Sequence, residues 1–388
     1  MTGAIYQPVD MIRRLISFNT TSRESNLGLI DFVAEYLDGH GVASTLIRGD
    51  EGRKANLFAT IGPPRVPGII LSGHTDVVPV DGQDWSTDPF ALHEAGGKLF
   101  GRGTADMKSF IAVALALVPD MLARRLSVPI HLALSYDEEV GCLGVHGMIG
   151  HIETGETRPR ICIVGEPTSM RVVNAHKGVY SFRTLVRGLE AHSSATHAGV
   201  NAIMYAGELI AYLGRLAEEM RGRAQSPSRF EPPYTSVHVG LVRGGTGLNI
   251  IPRECSFIWE YRLLPGEDAD EIPRRFEEFA KTEIEPRMRA VDPATGIDTE
   301  MRARIPALTP EVGSPAESLV MALAGTNRLD AVSYGTEAGI FQDAEIPTVV
   351  CGPGDIAQAH RPDEFIALEQ VDACTAFLRR LIDYAAAD

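Results

Sequence analysis

The chain has 388 residues, 44% of them apolar and 22% charged, with a formal net charge of −15. That length predicts about two domains rather than one core, and the acidic balance excludes the Lys/Arg-rich surface that nucleic acid or an anionic membrane rewards. The N-terminal stretch MTGAIYQPVDMIRRL breaks its apolar residues with charge and lacks a signal core. The longest apolar run, FIAVALALV, falls far short of the roughly 20 residues of a membrane-spanning helix. A soluble, cytoplasmic protein is expected.

Taken in chain order, VDMIRRLISF and LIDFVAEYLDGHG carry apolar residues at helical period, with Gly39 and Gly41 as stops. STLIR, NLFATIG and GIILSGHTD read as strands, and SFIAVALALVPDMLARR as one helix. PIHLALSYDEE is a further strand, CLGVHGMIGHI a helix and ICIVGEP a strand. Strands alternating with helices at these lengths predict an α/β domain with a mainly parallel sheet. Near Gly178 the pattern changes to strand (GVYSFRTLVRGLE), amphipathic helix (AGVNAIMYAGELIAYLGRLAEEM), two strands (TSVHVGLVRGG and ECSFIWEYRLLPG), amphipathic helix (DADEIPRRFEEFAKTEIEP) and strand (IDTEMRARIPAL). This βαββαβ order, of ferredoxin-like type, predicts a small inserted α+β domain. After Pro310 come helix, the YGTEAG loop, the strand PTVVCGPG and a C-terminal helix. The expected division is residues 1–178 and 310–388 for the α/β catalytic domain, with 179–309 inserted. Five scattered cysteines without a CxxC pair fit a reducing compartment and read as small buried hydrophobes.

The core strands end on polar residues. GIILSG runs into His74-Thr75-Asp76, GRGTAD delivers Asp106 before a helix, and LALSYD delivers Glu138-Glu139. ICIVG delivers Glu166, and VVCGPGDIAQAH delivers His360. Ligands bind at the carboxyl ends of strands in open α/β sheets, and two histidines with several carboxylates form a mixed N/O donor set suited to a divalent metal, zinc above all. Taken singly, each has a structural reading. Either His can be a hydrogen-bonded core residue, Asp106 a helix N-cap, Glu166 a turn carboxylate and the Glu pair a solvated loop.

HTDVVP, GRGTADMK, DEEVG, GEPT and the late AH together resemble the motifs of the zinc-dependent aminoacylase, deacetylase and carboxypeptidase family, in order over almost the whole chain. NAHKGVYSFRTLVRGLEAHSS, GGTGLNIIP and SYGTEAGIF are similar to the branch that deacetylates N-acetyl-L-ornithine in arginine biosynthesis. Branches acting on N-succinyl-diaminopimelate, or on a wider range of N-acyl amino acids and peptides, stay open as alternatives. The resemblance implies two Zn²⁺, with Co²⁺ as a substitute, bridged by Asp106. His74 and Glu166 would complete one ligand set, and Glu139 and His360 the other. Asp76 would take a hydrogen bond from His74 and fix its tautomer. Glu138 would be general base for water attacking the acyl carbonyl, and Asp137 structural.

The resemblance further implies a homodimer formed through the inserted domain, with His192 reaching the partner's active site to stabilise the oxyanion. Asn249 and Arg262 match positions linked with substrate, Arg262 as a bidentate grip on the α-carboxylate with Arg253 as competitor. Glu337 would pair with the ornithine ammonium or order its loop. The expected partner is thus a small N-acyl amino acid. Lys177 and the two tryptophans receive no functional role.

Overall fold

The computed structural model describes residues 3–49, 51–155 and 157–387. Two compact units emerge: Met1–Ala175 with Leu308–Ala331 and Thr336–Asp388, and His176–Ala307 with Val332–Gly335.

The first unit is built on an eight-stranded sheet in the order Ser44–Arg48, Ala55–Ile61, Ile130–Ser135, Ile69–His74, Ile161–Pro167, Thr348–Gly352, Val173–His176, Asp330–Val332. The four strands from Ile130–Ser135 to Thr348–Gly352 are parallel to one another. Pairing beyond them on either side is antiparallel, so the mainly parallel sheet holds at the centre and changes sense at its margins. Parallel strands covered on both faces read as unbroken apolar runs, and every residue of these four strands is buried. Shared direction and register (His74 lies opposite Ser135) bring their carboxyl ends to one edge.

A helix over Lys108–Ala116 crosses this layer, buried from Lys108 to Leu115 because it is apolar nearly all round. Two glycines let it approach the strands. A Cβ at Gly165 would fall 2.1 Å from the Phe110 ring, and one at Gly73 would fall 2.8 Å from Met107 Cε. The single helix expected over SFIAVALALVPDMLARR is two, ending at Ala116 and restarting at Val118–Ala123. Pro119 has no N–H to donate and its ring crowds the preceding turn. A small sheet of His93–Ala95, Lys98–Phe100 and Phe365–Ala367 pairs Phe365 with Phe100. It ties the segment after His360 to the loop that leads into Asp106.

The second unit is a four-stranded antiparallel sheet in the order Ser236–Gly244, Glu254–Leu263, Gly178–Arg187, Gly296–Ile305. In Glu254–Leu263 the buried residues alternate, from Cys255 through Phe257, Trp259 and Tyr261 to Leu263, as a sheet with one covered face requires. That face packs Phe182, Trp259 and Tyr261 with Leu209, Leu213 and Phe276. The first three belong to strands, and the others to the helices Ala202–Gly222 and Glu271–Phe279. The second helix is not continuous as expected. It passes through a π turn at Ala280–Ile284 into Glu285–Arg289, where Pro286 withholds the amide an α-helix would use. All five cysteines are buried and unpaired, and no described helix is long and apolar enough to cross a membrane.

Candidate metal centre

The strand ends of the first unit converge on one carboxylate. His74 Nε2 lies 2.9 Å from Asp106 Oδ1 and 3.5 Å from Glu166 Oε1. His360 Nε2 lies 3.4 Å from Asp106 Oδ2 and 3.1 Å from Glu139 Oε2. The two oxygens of Asp106 thus face different histidines. Glu138 joins the same cluster, with ligand atoms of His74, Glu138 and Glu166 all within 4.8 Å of one another, as are those of His74, Asp106 and Glu139.

Asp76 contacts three residues of the cluster, His74, Glu138 and Glu139. The His74 Nδ1–H donates to the backbone carbonyl of Asp76 at 3.0 Å, while the nearer carboxylate oxygen stands 3.6 Å away, beyond a hydrogen bond. The acceptor on Asp76 is its backbone carbonyl. The carboxylate is instead held by the Ser22 hydroxyl at 2.7 Å and the backbone N–H groups of Glu138 and Glu139 at 3.1 and 3.3 Å. Either way the proton sits on Nδ1 and the Nε2 lone pair faces the cluster, as a metal ligand requires. Asp76 therefore orients a histidine and the two glutamates at once. Asp137, at φ 56°, turns the chain between strand and glutamates and pairs with Lys54, which also donates to the Ser22 carbonyl. Of the three adjacent acids, then, one is neutralised by lysine and two enter the cluster.

Residues that no sequence signal singled out hold the Asp106 loop. Glu364 is 1% exposed, and its Oε1 accepts the backbone N–H groups of Gly103, Ala105 and Asp106 at 3.0, 2.8 and 3.1 Å. Its Oε2 accepts from the buried Arg102 guanidinium at 2.6 Å. Lys108 is fully buried and donates to the carbonyls of Phe18 and Leu15 at 2.9 and 3.3 Å, and burial lowers its pKa to about 7. The only hint of either was position, Glu364 four residues after His360 and Lys108 two after Asp106.

Electrostatics mark the cluster as short of positive charge. Burial raises Glu138 and Glu166 well above the carboxylate range and Glu139 to about 7, with neighbouring carboxylates adding to each. Burial disfavours the His74 imidazolium, yet Glu166, Asp106 and Asp76 outweigh it and lift the ring well above its ordinary value. Hydrogen bonds to Asp106 and Glu139 raise His360 to about 10. A cation bound among these groups would favour the charged carboxylates that burial and mutual repulsion oppose. Donors on one tetrahedral zinc at about 2.0–2.1 Å stand roughly 3.3 Å apart, and the observed separations of 2.9–3.5 Å suit that. The residues present fit a divalent metal.

The remaining candidates lie elsewhere. Glu337 belongs to the first unit but is 1% exposed, its Oε2 3.4 Å from the Ser72 hydroxyl, with burial raising its pKa to about 7. His192, Asn249 and Arg262 all belong to the second unit. His192 bridges to Ile250, and its exposed ring takes the backbone N–H of Ser194 on Nδ1 at 3.2 Å. A neutral His192 then carries its proton on Nε2, free to donate. Asn249 is exposed, its carbonyl accepting from Ser193 N–H at 3.0 Å. Arg262 is engaged side-on by Glu260, at 3.0 Å from Nε and 3.3 Å from a terminal nitrogen.

Histidines and carboxylates gathered at one edge of a parallel sheet, together with the family match that follows, make this a metal-dependent hydrolase. The chain belongs to peptidase family M20/M25/M40, whose model matches residues 70–384. It is 34% identical over 382 residues to the acetylornithine deacetylase of Myxococcus xanthus, covering 96% of this chain and 95% of that one. With the acetylornithine deacetylase of Pasteurella multocida it shares 34% identity over 360 residues, 92% of this chain and 91% of that one. Among solved structures, the M20 family metallo-carboxypeptidase Sso-CP2 from Sulfolobus solfataricus superposes with TM-score 0.78 at 16% identity, covering 98% of this chain and 100% of that one. The dinuclear metal-binding M20 peptidase YXEP of Bacillus subtilis gives 0.64 at 16% identity, covering 97% and 96%. These last two likenesses speak for the fold alone.

Proposed function

We propose that the protein hydrolyses N-acetyl-L-ornithine to L-ornithine and acetate, using two zinc ions. The observation that carries the reading is the division of the Asp106 carboxylate between His74 and His360, taken with relatives of that activity matched end to end. His74, Asp106 and Glu166 would hold one cation, and Asp106, Glu139 and His360 the other. Bound there, a pair of divalent cations polarises an acyl carbonyl and makes water acidic enough for a carboxylate to deprotonate.

The chain's own groups do the rest. Glu138 takes the proton on its carboxylate and returns it to the leaving amine. Asp76 keeps the Glu138 backbone and the His74 ring in place. Arg262 grips the α-carboxylate side-on once Glu260 releases it, with Asn249 beside the same ligand. Glu337, closed to solvent, orders the YGTEAG turn rather than meeting the ornithine ammonium. In a homodimer formed through the second unit, His192 donates from Nε2 to the oxyanion in the partner's site.

The test is turnover of the zinc-loaded protein on N-acetyl-L-ornithine, N-acetyl-L-methionine and N-succinyl-L,L-diaminopimelate. The reading expects kcat/KM highest on the first by about tenfold or more, a difference of about 1.4 kcal/mol in transition-state binding. Preference for the succinyl substrate would move the protein to that sister activity and leave the hydrolytic chemistry intact.

A further inference from the structure

The open face of the second unit's sheet carries a groove of about 540 Å³ whose lining includes none of the residues assigned to the hydrolysis. Among its lining are Arg183, Arg243 and Arg302, with Ser256, Ile258 and Glu300. The register explains why three arginines meet there. Arg183 pairs across to Ile258 on one side and Glu300 on the other, and Arg243 pairs with Ser256. A bulge between Val239 and Leu241 shifts the alternation of the edge strand by one residue. Leu241 and Arg243, rather than Val242, therefore share the side of Ile258 and Ser256. A second bulge between Met301 and Ala303 leaves Arg302 out of the opposite ladder.

Neither a carboxylate within 4.0 Å nor a hydrogen-bond partner meets any of these three guanidinium groups among the described residues. Several other arginines of this unit are paired. Arg187 meets Asp298, Arg223 and Arg275 share Glu219 and Glu271, and Arg287 meets Glu208. In a chain with 51 acidic and 36 basic residues, three unpaired guanidinium groups around one groove are a local reversal of sign.

We infer that this groove binds a small organic polyanion bearing two or three carboxylate or phosphate groups. Each guanidinium offers a planar fork matched to such groups, and Ile258 and Leu241 supply apolar contact for the ligand's body. The volume falls in the range of small-molecule sites, about 300–1,000 Å³. Against the chain's net charge of −15, three guanidinium groups facing the single carboxylate of Glu300 leave the groove with a local excess of positive charge. The site is independent of the proposed hydrolysis.

The test is titration calorimetry on the full-length, metal-loaded protein, with metal content checked afterwards. Trimesate serves as the carboxylate probe, a hexose bisphosphate as the phosphate probe and benzoate as a monoanion control. Expected are binding of one or both polyanions in preference to benzoate, weakening as salt rises, and a loss of about tenfold or more in the Arg183→Gln/Arg243→Gln/Arg302→Gln protein. That variant should keep wild-type kcat/KM and metal content. The stronger probe identifies the anionic group. Absence of binding up to about 10 mM, or unchanged affinity in the triple variant, overturns the proposal. So does a change in oligomeric state of the variant without probe binding to the wild type, since the face would then belong to a second copy.

Discussion

Glu364 accepts the backbone N–H of Asp106 at 3.1 Å, on the same oxygen that takes the N–H groups of Gly103 and Ala105. One buried carboxylate thereby fixes the loop that presents Asp106 and the segment that presents His360. Removing it leaves three amides without their acceptor and a buried Arg102 without its carboxylate. Glu364→Ala is expected to cost about 3–5 kcal/mol, the scale for breaking a buried ion pair from one side. Thermal unfolding and metal titration of the variant should register both a lower Tm and weaker metal binding. An unchanged Tm would mean that the loop holds itself.

Glu138 and Glu139 are neighbours with separate tasks in this account. Glu138→Gln should retain both metals while kcat falls about 10²–10⁴-fold, the usual worth of a positioned acid–base. Glu139→Gln should lose metal first. Elemental analysis beside steady-state kinetics separates the two, and near-normal turnover of Glu138→Gln would remove it from proton transfer.

The pH dependence of metal stabilisation follows from the raised groups. Without metal, His360 titrates near 10 and Glu139 near 7, both above their unfolded values. A folded pKa raised in this way gives stability that is full below the unfolded pKa and is lost as pH rises through the folded one. The same protons must leave before a cation binds. Both effects have one sign, so the Tm gap between zinc-loaded and chelator-stripped protein should widen from pH 6 through pH 9. A gap that narrows over that window would contradict the ligand roles of these two residues.

His192 acting across a dimer gives a mixing experiment. His192→Ala and Glu138→Gln are each expected to be nearly inactive as homodimers. After dissociation and random re-association, half the dimers are mixed, and each mixed dimer holds one complete site. Activity should return to about a quarter of wild type. If His192 serves its own subunit, no mixed site is complete and activity stays at the level of the parents.

Legibility from the sequence tracked how local the cause was. Apolar runs such as ICIVGEP are strands because both faces are buried, and the polar residues at their ends stand out as candidate metal ligands. The βαββαβ order of the second unit followed from periodicity alone. What stayed hidden depended on partners distant in the chain. Glu364 in RPDEF looks like any surface acid until Phe365–Ala367 pairs with Lys98–Phe100. Pairing of Asp137 with Lys54 needs a lysine 83 residues away. The bulge that brings Arg243 into line with Ser256 leaves no mark in an edge strand of mixed composition.

The most direct measurement is anomalous diffraction from crystals of the zinc-loaded protein. The account predicts two peaks about 3.5–4 Å apart, with one Asp106 oxygen on each, His74 at one and His360 at the other. A single peak, or two with Asp106 bound to only one, would contradict it.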